Sequence, residues 1–87
     1  MFIGVDVSAK TVDFSSSDRT ISGAGLPPEK AVASLASRVD PHGVQSVVVE
    51  ATGGYERAVV SALRGAGFAV AIVNPKRVRR FADAMGV

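Results

Sequence analysis

Two carboxylates stand at the ends of two short apolar runs. Asp6 lies in Phe2-Ile3-Gly4-Val5-Asp6-Val7-Ser8, and Glu50 closes Ser46-Val47-Val48-Val49-Glu50. Runs of this length and composition read as short buried strands. If the two strands lie side by side and parallel, both carboxylates project at one edge of one sheet. A hard divalent cation such as magnesium takes oxygen ligands and keeps several of its waters. Two such ions, roughly 4 Å apart, hold the attacking and leaving oxygens of a phosphodiester in line. Asp6 and Glu50 are therefore candidate catalytic and metal-holding residues for phosphodiester cleavage, although two carboxylates are fewer than such a site normally uses. Spacing alone also allows a structural reading, with Asp6 as a turn residue before a hairpin and Glu50 as a cap for the next helix.

The elements that must position these acids follow from local pattern. Residues 2–7 alternate, with Ile3, Val5 and Val7 on one face and Phe2, Gly4 and Asp6 on the other. Ser8-Ala9-Lys10 is a short polar break, and residues 11–15 read as a second strand, which predicts an antiparallel hairpin. Residues 18–22 read as a weak third strand before the loop Gly23-Ala24-Gly25-Leu26. Pro27-Pro28-Glu29 has the chemistry of a helix start, and Val32, Leu35, Ala36 and Val39 follow at helical spacing. Asp40-Pro41-His42-Gly43 turns the chain into the β-branched strand 44–50.

Thr52-Gly53-Gly54 then opens a helix with Tyr55, Val59, Ala62, Leu63 and Ala66 on one side, and residues 68–73 return as a strand. Asn74-Pro75 suits a helix cap, and a last helix would face Val78, Phe81, Ala82 and Met85 inward. The order is β-β-β-α-β-α-β-α, an α/β arrangement with a mixed five-stranded sheet and helices on its faces. Right-handed crossovers place the fourth strand beside the first and the fifth beyond it, which makes Asp6 and Glu50 neighbours.

Length and composition limit the function classes. The 87 residues support one small domain, and with no cysteine there is neither a disulfide framework nor a thiolate metal site. The N-terminus lacks a signal-peptide pattern, and no apolar stretch approaches the roughly 18 residues of a membrane span. A cytoplasmic protein without membrane contact is expected. Residues 1–75 carry six Lys/Arg against seven Asp/Glu, a net −1, whereas residues 76–87 carry four basic residues and one acid, a net +3. Lys76, Arg77, Arg79 and Arg80 are accordingly the candidate nucleic-acid-binding residues, set against the plainer reading of a solvated helix face.

Other polar residues have simpler roles. Gly53-Gly54 reads as a strand-to-helix turn or, less simply, an anion-binding one. Tyr55 is read as core-facing or as a lid over that turn. Glu56 favours the helix macrodipole, Asp83 pairs with Arg79 or Arg80 on the surface, and His42 is a loop residue.

Three segments taken together resemble a known family: Ile3-Gly4-Val5-Asp6-Val7-Ser8 with Lys10, then Val48-Val49-Glu50-Ala51-Thr52-Gly53-Gly54-Tyr55-Glu56, then Val73-Asn74-Pro75-Lys76-Arg77-Val78-Arg79-Arg80-Phe81-Ala82. In this order they are similar to the N-terminal part of the DEDD-type insertion-sequence transposases, the IS-one-ten family, over essentially the whole chain. The resemblance implies a ribonuclease-H-like (RuvC-like) domain over residues 1–87. It also implies that Asp6 and Glu50 are the first two members of a four-carboxylate, magnesium-dependent site. The other two aspartates and a C-terminal domain with a serine nucleophile are expected beyond Val87. Full-length members carry out DNA transposition and recombination, act with a structured guide RNA, and assemble as oligomers. The expectation is an N-terminal transposase fragment, folded but inactive alone, that binds magnesium weakly or not at all and self-associates through exposed apolar surface. Two alternatives from other classes are an actin-like or sugar-kinase ATPase lobe, which also begins with a Gly-x-Asp hairpin, and a non-catalytic nucleic-acid-binding or assembly module built on the basic segment.

Overall fold

A computed structural model describes residues 1–50 and 53–73 of the chain. In chain order the elements are β1 (Phe2–Val7), β2 (Val12–Ser16), β3 (Ser22–Leu26), α1 (Pro28–Arg38), a 3-10 turn (Pro41–Gly43), β4 (Ser46–Glu50), α2 (Glu56–Gly65) and β5 (Val70–Val73). The strands form one sheet in the order β3-β2-β1-β4-β5. Strand β2 runs antiparallel to both its neighbours, while β1, β4 and β5 pair in parallel. This is the α/β mixed sheet that the sequence order predicts, consistent with the ribonuclease-H-like fold. The last helix expected from the sequence lies outside the described residues.

Alternation along the strands decides which side is covered. Ile3, Val5 and Val7 are buried, and the register sets Val5 opposite Phe14 in β2 and beside Val49 in β4. Those residues form one apolar face, and α1 and α2 pack upon it, α1 over β2 and β3 and α2 over β4 and β5. Fully burying one such side chain contributes about 1.5–3 kcal/mol, so this layer carries most of the stability. Both described helices lie on this one face, and no described element covers the other.

The helices start and stop for local reasons. Pro28 occupies the first position of α1, where its missing N–H costs nothing, and Glu29 follows in the first turn. Val39 leaves helical geometry at φ −131°, and its N–H still reaches the Leu35 carbonyl. The buried residues of α1 are Ala31, Val32 and Leu35, whereas Ala36 is exposed. In α2 they are Val59, Val60 and Leu63, and Ala62 is exposed. In α1 the expected Val32, Leu35 and Val39 are buried and only Ala36 gives way to Ala31, whereas in α2 Val60 replaces Ala62 in the buried stripe, because a valine gains more by burial than an alanine does.

One strand differs more. Residues 17–20 form a turn, and β3 is the glycine-containing segment Ser22–Leu26 that the sequence pattern assigns to a loop. Asp18 makes the turn: its Oδ1 accepts hydrogen bonds from the Ser16 hydroxyl (2.7 Å), the Thr20 hydroxyl (2.7 Å) and the Thr20 N–H (3.1 Å). Arg19 adopts φ 63° within it. The glycine-bearing strand is tolerated at the sheet edge, where only one neighbour must be paired.

Candidate metal centre at the sheet edge

Parallel pairing sets Val5 of β1 beside Val49 of β4. One residue further along both strands stand Asp6 and Glu50, on the face opposite the buried valines. Adjacent strands are about 4.8 Å apart, so the two side chains leave the same edge as close neighbours. Asp6 is exposed and Glu50 half-buried. Among the described residues, neither carboxylate has a hydrogen-bond or ion-pair partner; the ion pair found there is the surface contact of His42 with Asp40.

Each acid is held by the connection that follows its strand. After β1 the chain reverses through Ser8–Thr11: the Ser8 N–H reaches the Thr11 carbonyl at 2.9 Å, and the Thr11 N–H reaches the Ser8 hydroxyl at 3.2 Å. After β4 the chain passes Gly53 (φ 75°) and Gly54 (φ 119°) before α2, a conformation that favours glycine. The Gly54 N–H donates to the Glu56 carboxylate at 2.9 Å. That contact supports the plain strand-to-helix turn, since an anion at this position would compete with Glu56. Tyr55 is 58% exposed and belongs neither to the core nor to a closed cover.

The structure adds a residue that the sequence reading missed. Asp13 of β2 is the direct antiparallel partner of Asp6, between the buried pairs Val5–Phe14 and Val7–Val12. Asp13, Asp6 and Glu50 therefore occupy one row across three adjacent strands, on the face away from the helices. The signal was present in the hairpin: once Val7 pairs with Val12, Asp6 must oppose Asp13. Like charges directly opposite on a sheet are unfavourable, which makes this row unusual.

The donor set fits a magnesium ion in a limited way. Magnesium is commonly bound by one or two carboxylates together with waters and substrate phosphates, and Asp6 with Glu50 supplies that number. Among the described residues, no group of three or more His, Cys, Asp or Glu side chains converges tightly enough to hold a metal ion by itself. Asp13 stands in the row, but its Oδ1 is drawn the other way, accepting the Gly25 N–H at 2.7 Å.

Two other acids serve local structure. The hydroxyls of Ser16 and Thr20, then the Thr20 N–H, lower the Asp18 pKa from 3.8 to about 2. Asp40 caps the 3-10 turn by accepting from the His42 N–H at 3.0 Å, and this bond, with the His42 ring, lowers its pKa as well. The candidate nucleic-acid-binding residues Lys76, Arg77, Arg79 and Arg80 lie outside the described residues, as does Asp83. No described helix is long and apolar enough to cross a membrane.

In a comparison with family models, residues 3–86 fit the model of the DEDD-type IS110 (IS-one-ten) group, described as a transposase. Among curated proteins, none matches the chain.

Proposed function

This chain belongs to that family of transposases, and from that premise we propose that Asp6 and Glu50 form part of its magnesium-dependent centre for DNA strand cleavage and transfer. Membership in a transposase family implies DNA as the partner. The observation that carries the reading is the parallel register of β1 and β4, which sets the two acids side by side on the face of the sheet that no described element covers. Strand ends anchored in a packed sheet hold donors more precisely than loops do. A bound magnesium ion would supply charge neutralisation at the phosphodiester oxygens. The chain's own contribution is to orient the two carboxylates and keep them clear of competing cations, consistent with their lack of any described partner.

Two acids are half of the set that the resemblance implies. The 87-residue polypeptide taken alone therefore holds magnesium weakly and leaves DNA uncut, and it works in cleavage when the other carboxylates are brought to the same edge. The sequence of Lys76, Arg77, Arg79 and Arg80 supports salt-dependent contact with the phosphates of DNA or of a structured guide RNA. Self-association through exposed apolar surface belongs to the same reading.

Manganese, a paramagnetic substitute for magnesium, tests the centre directly. Titrated into the isotopically labelled polypeptide, it should broaden the amide signals around Asp6 and Glu50 first, and Asp6→Ala should abolish that localisation. Broadening centred elsewhere sinks the assignment. Magnesium-dependent nicking of supercoiled DNA by the polypeptide, lost in Asp6→Ala, would overturn the claim that it is inactive alone.

A further inference from the structure

Strand β2 pairs with β3 irregularly: Val12 faces Leu26 and Phe14 faces Gly23, so Asp13 stands opposite an extra residue of β3. Such a bulge leaves one backbone group without its ladder partner. Here the orphan is the Gly25 N–H, and the Asp13 Oδ1 takes it at 2.7 Å while Gly25 sits at φ 69°. The bulge thereby fixes the Asp13 carboxylate through one oxygen, on the β3 side of the strand whose backbone pairs Asp13 with Asp6.

We propose that Asp13 is a positioning residue of the Asp6–Glu50 centre, a third negative charge that attracts and retains the hydrated cation without ligating it. This rests on the reading of Asp6 and Glu50 as the metal pair. Cross-strand partners place their β-carbons about 5 Å apart, so even with its Oδ1 turned to Gly25 the Asp13 charge stays within Coulombic reach of a cation that Asp6 would hold. It is not a ligand, because its Oδ1 is engaged by Gly25 and the three acids do not converge on one point. Its influence is Coulombic, and it is therefore screened by salt. The arrangement also explains why two like charges are kept opposite one another: their repulsion disfavours the cation-free site and is relieved when a cation arrives.

Asp13→Asn separates the charge from the hydrogen bond, since the amide oxygen still accepts from Gly25. Asp13→Ser offers a second neutral acceptor should the asparagine disturb the bulge. Manganese affinity, read from the broadening at Asp6 and Glu50, should fall about five-fold in low salt for either variant. The deficit should shrink toward nothing at about 0.5 M salt, with the melting temperature unchanged. An affinity equal to that of the unaltered chain at low salt, in a variant that melts normally, overturns the role of Asp13 and leaves the pair intact. A five-fold loss that persists undiminished in high salt also overturns it, because only a structural or ligand role behaves so. If manganese in the unaltered chain does not localise at Asp6 and Glu50, the metal pair fails and the inference falls with it.

Discussion

The two faces of the sheet are built from the same strands and have opposite chemistry. On one, Ile3, Val5, Val7, Val12, Phe14, Val47 and Val49 lie at most 5% exposed beneath the helices. On the other, one residue away along each strand, Asp13, Asp6 and Glu50 stand in a row that no described element covers. The period of two along a strand makes this possible, because a side chain can be charged without disturbing its buried neighbours. Stability and chemistry are thereby assigned to different sides of one rigid object. Asp18 and Asp40 sharpen the contrast: their oxygens are taken up by their own turns, whereas Asp6 and Glu50 have no described partner.

The largest test of this division is in the covered face. Ile3→Ala or Leu63→Ala, at positions with no exposed surface, should cost about 2–5 kcal/mol in chemical denaturation. Asp6→Ala should change stability by no more than about 0.5 kcal/mol, and in the stabilising direction if repulsion from Asp13 is felt. A loss of several kcal/mol on removing Asp6 would break the comparison, since that acid would then be holding the fold.

Next in size, Asp6→Ala and Glu50→Ala should each weaken manganese binding at least ten-fold, while Asp18→Asn leaves it unchanged. Equal losses from all three would mean that the cation responds to overall charge and not to the row.

The smallest effect is in acid. Asp18 has a folded pKa of about 2 against an ordinary value of 3.8. A depressed carboxylate stabilises the fold fully above its unfolded pKa, and that contribution is lost as pH falls through the folded value. The melting temperature should therefore decline between about pH 4 and pH 2, with Asp40 contributing in the same direction. Asp18→Asn should flatten this limb and lower the melting temperature at neutral pH. A limb that is as steep in Asp18→Asn would place the acid sensitivity elsewhere.

Much of this was legible in the sequence. Alternation assigned Asp6 to the face opposite Ile3 and Val5, and short β-branched runs identified β1 and β4. Proline and an acid marked the start of α1. These are local properties, set by side-chain period and backbone chemistry, and the family motifs around Asp6 and Glu50 lie in the same local segments. The glycine-bearing β3 was not legible, because its strand conformation comes from pairing with β2 and not from its own propensity. Nor were the exact stripes of α1 and α2, where neighbouring apolar residues compete for one core and packing chooses among them.

The sequence alone thus determined the types of the acids, the strands that carry them and the faces they take, since each depends on residues close in the chain. Only the tertiary structure decided that Asp13 joins Asp6 and Glu50 in one row, that the β2–β3 bulge engages it through Gly25, and that both described helices cover the other face. Those facts depend on register between distant segments, and register is settled by the burial of a whole face at once.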